Sequence, residues 1–528
     1  MKASRSDMHS SASTTGGGEL KSLAKDTAIY GLSSIVGRFL NYLLVPLYTV
    51  KLAAGEGGYG VVTNLYAYTA LLLVVLTFGM ETTFFRFANK LAGPSAGGGP
   101  APSEGKETEA DRVGRVFSSA MVVVGSLSVL FLLVVLGFLP GICGALGYAS
   151  HPEYVGMMAV VVALDALQAV PFSLLRYQQR AVKFACLKLL FIILNIGLNL
   201  LYFVLLPLLH TRGYHIPLYS PQVGVGYVFA LNLVCTAFIT LFFIPELRRI
   251  RWRVDAALLR HMLSYAWPIL VLGIAGILNQ TADKMLFPLV YPGEGHVQLG
   301  IYGACVKIAM IMAMITQAFR YAYEPFVFAK SKERGSGKSY AEAMKFFVIF
   351  TLLAFLCVMG WMDVLQHLIG RGYREGLKVV PIVMAAEIMM GVYFNLSFWY
   401  KLIDKTIWGA WFSLAGCAVL VAVNLLFIPR FGYMACAWGG VAGYGTAMLL
   451  SYFVGQRKHP IAYPLRSIGA YVLLCAVLYA LMALMPKGWP TPLRLLLNTL
   501  LILLFALRIV RRDMPLSALP LIGKYFRK

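Results

Sequence analysis

Little in this chain suits a life in water. Only 13% of its 528 residues are charged, and the 23 Asp and Glu are outnumbered by 46 Lys and Arg. With 59% hydrophobic residues and a mean hydropathy of +0.73, no stretch remains that is long and polar enough for a soluble multidomain protein. Cysteine pairs at C-x-x-C spacing are missing as well. Cys143, Cys186, Cys235, Cys305, Cys357, Cys417, Cys436 and Cys475 stand singly, which excludes a disulfide framework or thiolate metal site and marks them as small apolar residues. The histidines are dispersed, with none in the middle of an apolar run. There is no P-loop, H-E-x-x-H, D-x-D or G-x-S-x-G, so neither an enzyme, a resident cofactor nor an ATP-driven pump is indicated. The first twenty residues lack an apolar core and read as a polar tail, not a signal peptide. The net charge of +23 is not gathered on one face among stacking aromatics, which argues against nucleic acid as a partner.

Long apolar runs are abundant. A helix needs about 20 apolar residues to cross a ~30 Å hydrocarbon layer, and about fourteen such stretches are present. They run near 27–48, 61–85, 116–140, 155–175, 184–206, 223–244, 263–287, 299–322, 346–366, 379–400, 407–428, 433–455, 467–485 and 491–510. Lys and Arg fall mostly into alternate loops, among them the RRIRWR loop (Arg248, Arg249, Arg251, Arg253) and the tail with Arg511, Arg512, Lys524, Arg527 and Lys528. That bias is a topology signal with both termini on the cytoplasmic side, and it offers contacts to anionic lipid headgroups. The low-complexity segment Leu91 to Arg112 cannot bury a core and is expected to be a flexible cytoplasmic loop.

An internal repeat organises the runs. Tyr59-Gly60 precedes Glu81 by the same interval that separates Tyr302-Gly303 from Glu324. Asn199-Leu200-Leu201 and Asn424-Leu425-Leu426 occupy matching runs, and Asp165 precedes Tyr177 much as Glu387 precedes Tyr400. The expected fold is an all-α polytopic membrane protein of about fourteen transmembrane helices, with two six-helix lobes in pseudo-two-fold arrangement and two further C-terminal helices. In residues this predicts a disordered tail at 1–25, a first lobe at 26–244 with a flexible loop at 88–115, and a basic linker at 245–262. A second lobe at 263–455, the last pair at 456–510 and a basic tail at 511–528 complete the chain.

Chemistry concentrates in the few charges within the runs. Arg38 lies near the middle of the first, where a guanidinium costs at least ~2.5–3.5 kcal/mol unless it faces a polar cavity and an anion. Lys307 also lies deep, whereas Lys188 and Arg320 are near run ends where they snorkel. Lys284 follows Asp283, for which a local ion pair is the plain explanation. Arg38 and Lys307 are therefore the leading anion ligands. The alternative for Arg38 is a buried pair that only locks helices together, with Asp165 as the available acid; Glu387 is the corresponding acid for Lys307. An arginine that alternates between carboxylate and phosphate would couple states, and protonation of Asp165 or Glu387 would link the cycle to H+, with Na+ as the other candidate ion. Glu81 with Arg86, and Glu324 with Arg320, sit at matched run ends, as a gate or as solvated boundary charges. Tyrosines such as Tyr66, Tyr302, Tyr393 and Tyr400 suit stacking on sugars, or an interfacial aromatic belt.

The segments KSLAKDTAIYGLSSIVGRFLNYLLVPLYT, YGVVTNLYAYTALLLVVLTFGMETTFFRF and LGIYGACVKIAMIMAMITQAFRYAYEPFVF resemble the polysaccharide-transporter (Wzx-like) flippases of bacteria. These belong to the multidrug/oligosaccharidyl-lipid/polysaccharide exporter superfamily, which also holds the lipid II flippases and MATE exporters. The resemblance implies alternating-access transfer of an undecaprenyl-pyrophosphate-linked oligosaccharide across the inner membrane for surface polysaccharide synthesis. A monomer in the bilayer, working beside glycan polymerase and chain-length partners, is the accompanying expectation. The family's cationic lumen maps onto Arg38 and Lys307, then Arg320 and Arg86. Rival readings are a lipid II flippase, a drug or cation antiporter, for which Asp165 and Glu387 speak, and a membrane glycan polymerase, which the short outside loops disfavour.

Overall fold

The computed structural model describes residues 43–92, 109–214, 216–217, 219–248, 255–330, 336–403, 405–486 and 488–513, with side chains omitted at a few helix ends, including 321–330. Among them there is helix and connecting chain, and no strand. Fourteen principal helices follow one another among the described residues: α1 (Gly58–Thr77), α2 (Met80–Ala92), α3 (Glu109–Gly137), α4 (Pro152–Tyr177), α5 (Ala181–Leu200), α6 (Gly226–Leu241), α7 (Ala256–Val290), α8 (Gly295–Lys330), α9 (Ser336–Gly360), α10 (Val380–Leu396), α11 (Ile407–Phe431), α12 (Tyr433–Lys458), α13 (Leu465–Leu484) and α14 (Thr491–Arg512). Eleven helical segments among the described residues are long and apolar enough to cross a membrane, α1 and α2 counting as one. Apolar α6 falls short in length. Helix α12 has the length but carries five glycines, which dilute its hydropathy. The first expected run lies almost wholly outside the described residues.

The chain forms two compact units, one from Leu65–Ile277 with the segment ending at Leu47, the other from Tyr48–Asn64 with Leu278–Lys528. The basic loop at 245–262, where the sequence predicts the division, is not the boundary. The division falls instead within α1 and α7, because both helices run unbroken past the point where their packing partners change. The last pair, α13 and α14, is part of the second unit.

In the first unit the core is a set of helical ridges. Leu76, Met80, Phe84 and Ala88 recur at every fourth residue along α1 and α2, and meet Val116, Phe117, Ala120 and Val124 of α3 and Val162, Ala166 and Val170 of α4. Lipid tails are as apolar as leucine, so such a seam is held by close packing rather than by removal from water, and small residues at the crossings set how near the backbones come. Between α1 and α2 the chain turns at Phe78 (φ 49°) and Gly79 (φ 66°). A Cβ at Gly79 would lie 3.0 Å from Ile269 of α7 as well as adopting a strained φ.

In the second unit, glycines carry the closest approaches. A Cβ at Gly60 would stand 2.8 Å from the Gly300 nitrogen, and one at Gly303 would meet the Thr63 hydroxyl at 2.6 Å. The two Tyr-Gly repeats thus cross one another at the starts of α1 and α8. On α12, Gly439 and Gly443 form a small-xxx-small face, and a Cβ on Gly443 would be 2.8 Å from the Gly416 carbonyl of α11. Polar staples hold α14 against α9 at both ends. Asp513 accepts from Lys345 and Tyr471 at one end, while Arg494 pairs with Asp363 at 3.0 Å and Asn498 donates to the Gly360 carbonyl at the other. Lys345 and Gly360 are about 22 Å apart along α9 at 1.5 Å per residue, so the two staples lie toward opposite ends of the helix.

Candidate substrate-binding residues

A row of charged and polar groups threads the second unit. Asp283 of α7, 7% exposed, accepts a hydrogen bond from the Tyr302 hydroxyl of α8 at 2.7 Å and pairs with Lys284 at 3.0 Å. Lys284 also donates to the Gln280 carbonyl at 2.9 Å, and its own carbonyl accepts from Asn64 at 2.7 Å. The adjacent-residue pair expected from sequence is therefore present, and Lys284 is committed to it. Sequence alone suggests sugar stacking or an aromatic belt for Tyr302; its hydroxyl instead completes the carboxylate's shell. Farther along α7, Asn279 donates to the Ser413 carbonyl at 3.0 Å and its own carbonyl accepts from Tyr444 at 2.8 Å.

Lys307 is half-buried on α8 and makes no hydrogen bond or ion pair among the described residues; the charge it senses is that of Lys284. Glu387, half-buried on α10, likewise has no direct partner there and senses Lys284 and Asp283. The expected Lys307–Glu387 pair is not formed, and helix register explains why. Gly376 packs on Ile301 and Cys305, and Gly391 on Thr316, so α8 and α10 run parallel with Glu387 near the level of Met312. That leaves Glu387 about five residues, or ~7 Å along the axis, from Lys307.

In the first unit, Asp165 of α4 has Thr236 as hydrogen-bonding neighbour and Lys188 as its electrostatic partner. The Lys188 ammonium also sits 4.0 Å from the centre of the Phe172 ring. Arg38, the partner expected for Asp165 from sequence, lies outside the described residues. Glu81 does not pair with Arg86. Five residues apart on a helix, their side chains diverge by about 140°. Glu81 accepts instead from Arg176 of α4 at 3.1 Å, and Arg86 lies 4.0 Å over the Tyr265 ring. Arg320 lies 4.4 Å over the Phe394 ring, and the side chain of Glu324 is outside the described residues.

Sequence reasoning missed Arg176 as the partner of Glu81 and Tyr302 as the partner of Asp283. Both contacts join residues on different helices, and no local spacing announces them. Among the described residues no three His, Cys, Asp or Glu gather as a metal site, and the eight cysteines are free.

No protein-family model matches the chain, and no curated protein matches it in sequence. Solved structures do. The lipid II flippase MurJ in an inward closed conformation superposes with a TM-score of 0.69 at 12% identity, over 91% of this chain and 98% of that one. An inward-facing multidrug resistance MATE transporter of the MOP superfamily matches with 0.59 at 13% identity, covering 80% and 94%. The MATE multidrug transporter DinF-BH, in a ligand complex, matches with 0.57 at 15% identity, covering 83% and 96%. At such identities the likeness is one of architecture, and the chain has the helical fold shared by MurJ and the MATE transporters.

Proposed function

We propose that this protein is a flippase that carries a polyprenyl-pyrophosphate-linked oligosaccharide across the bacterial cytoplasmic membrane by alternating access. The observation that supports this most directly is Lys307: a half-buried ammonium within a membrane-length helix, with its neighbour Lys284 already engaged by Asp283 and with no acid in contact among the described residues. An uncompensated cation at such a depth is costly unless an anion or a wet cavity receives it. A pyrophosphate is a suitable anion, and a neutral or cationic drug is not. Arg38 is the second cation of this reading, on sequence grounds, with Arg320 and Arg86 as outer contacts. Glu387, without a direct partner among the described residues, is the proposed site of H+ or Na+ coupling.

A second reading, transport of lipid II itself, is favoured by one observation: the MurJ match extends over more of this chain than the MATE matches do. Reconstituted vesicles test both. Fluorescent polyprenyl-pyrophosphate oligosaccharide should cross in the presence of wild-type protein and fail to cross with Lys307→Ala or Arg38→Ala. Crossing of lipid II alone would select the second reading; crossing by both alanine variants at the wild-type rate would remove the cation-based mechanism. Indifference to imposed pH and Na+ gradients would remove the coupling role of Glu387.

A further inference from the structure

Where the first unit turns from α1 into α2, a groove of roughly 520 Å³ opens between Phe78 and the first three turns of α7, lined by Ala256, Leu259, Arg260, Leu263, Ser264 and Trp267. Its volume is that of an ordinary small-molecule site. Two features mark it as built for an occupant. Phe78 holds a left-handed backbone (φ 49°), an outlier for a bulky residue that persists only where its surroundings enforce it, and its ring leans on Trp267 at 6.2 Å. Arg260 and Ser264, one turn apart on the same face, are exposed and make no hydrogen bond or ion pair among the described residues.

We propose that this groove holds one acidic phospholipid, with its phosphodiester on Arg260 and Ser264 and an acyl chain laid across Leu263, Trp267 and Phe78. Arginine, serine and tryptophan succeed one another along α7 over about 10 Å, the order in which a lipid presents phosphate, glycerol and hydrocarbon. A single guanidinium matches the single negative charge of a phosphodiester. Among the described residues one arginine lines the groove, which suits a phosphodiester better than the more highly charged pyrophosphate of the lipid-linked cargo. On the topology read from the basic loops, this end of α7 follows the RRIRWR loop and faces the cytoplasmic leaflet, where acidic lipids attract cations. The bound lipid would fill the space beside the Phe78–Gly79 turn and brace it. The inference stands apart from the substrate reading above.

The test is native mass spectrometry of the purified full-length protein with defined lipids added: phosphatidylglycerol, phosphatidylcholine or undecaprenyl pyrophosphate. Wild type should retain phosphatidylglycerol about tenfold better than phosphatidylcholine, the factor that one charge-assisted contact supplies. Arg260→Ala should abolish that preference, Arg260→Lys should keep part of it, and Trp267→Ala should weaken both phospholipids. Arg457→Ala, at the end of α12, should leave it unchanged. Equal retention of the two phospholipids by wild type, or an unchanged preference in Arg260→Ala, overturns the proposal. Stronger retention of undecaprenyl pyrophosphate that also depends on Arg260 overturns it too, by giving the groove a different occupant. Gel filtration of each variant confirms that folded protein is compared, and the exposed position of Arg260 makes its substitution benign to the fold.

Discussion

Three acids of the first unit have cations beside them: Glu81 has Arg176, Glu246 has Lys183, and Asp165 has Lys188 within electrostatic reach. In the second unit Asp283 and Lys284 neutralise one another, while Lys307 and Glu387 stand ~7 Å apart along their helices with no direct partner among the described residues. Charge pairing therefore differs between the two units. Paired charges fix packing, and unpaired ones are available to something that comes and goes. On this comparison Lys307 and Glu387 are the second unit's charges free to meet a substrate, beside the first unit's proposed cations Arg38 and Arg86, whereas pairs such as Glu81–Arg176 and Arg494–Asp363 are structural.

The comparison breaks most visibly at Asp283. Replacing it with alanine leaves the Lys284 ammonium without its carboxylate and the Tyr302 hydroxyl without its acceptor. Removing one partner of a buried pair costs about 3–5 kcal/mol, so thermal unfolding in detergent should shift sharply downward. The double variant Asp283→Asn with Lys284→Met removes both charges and should recover most of the loss. If Asp283→Ala is as stable as wild type, the pair is not the anchor that keeps Lys284 out of the substrate's reach.

Lys307→Ala is expected to slow transport of lipid-linked oligosaccharide roughly 10- to 100-fold, the loss of one charge-assisted contact at about 1.5–3 kcal/mol. Protein yield and melting temperature should hardly move, because no described partner is orphaned. Lys188→Ala in the first unit should do the reverse, with little effect on transport and a measurable loss of stability from the Asp165 and Phe172 contacts. Equal transport defects in the two variants would erase the distinction between the units.

How far this contrast could be seen in the sequence depends on range. Apolar run length marked the spans, glycine-rich α12 among them, but both Tyr-Gly copies fall in the second unit, so the repeat did not announce how the chain divides. The Asp283–Lys284 pair was legible because the residues are neighbours. Glu81–Arg176 was not, because the choice between Arg86 and Arg176 is made by helix phase and by which helix packs alongside. Lys307 and Glu387 were each found as deep charges, but their separation is set by the register of α8 on α10, which glycine contacts determine and no pattern within either helix encodes.

Glycine use sharpens the same comparison. Gly443→Val should cost about 1–3 kcal/mol by forcing α11 and α12 apart, whereas Gly197→Val on α5, where a Cβ meets nothing within 4 Å, should be nearly neutral. Chemical denaturation of the purified variants in mixed micelles measures both. Similar losses at the two sites would mean that the second unit is not the more tightly interlocked.

The smallest effect is expected at Glu81→Gln. Its pair with Arg176 is 3.1 Å long, but both side chains are more than a third exposed, at 44% and 37%. Solvent and salt screen such a pair to about 0–1 kcal/mol. Arg176 keeps a second contact, donating to the Ser173 hydroxyl at 3.0 Å, which further limits the loss. Stability should fall by a few tenths of a kcal/mol at low salt and by less at high salt, and transport should continue at near the wild-type rate. A transport defect as large as that of Lys307→Ala, with unchanged stability, would convert this pair from a packing contact into the gate that its matched position in the repeat first suggested.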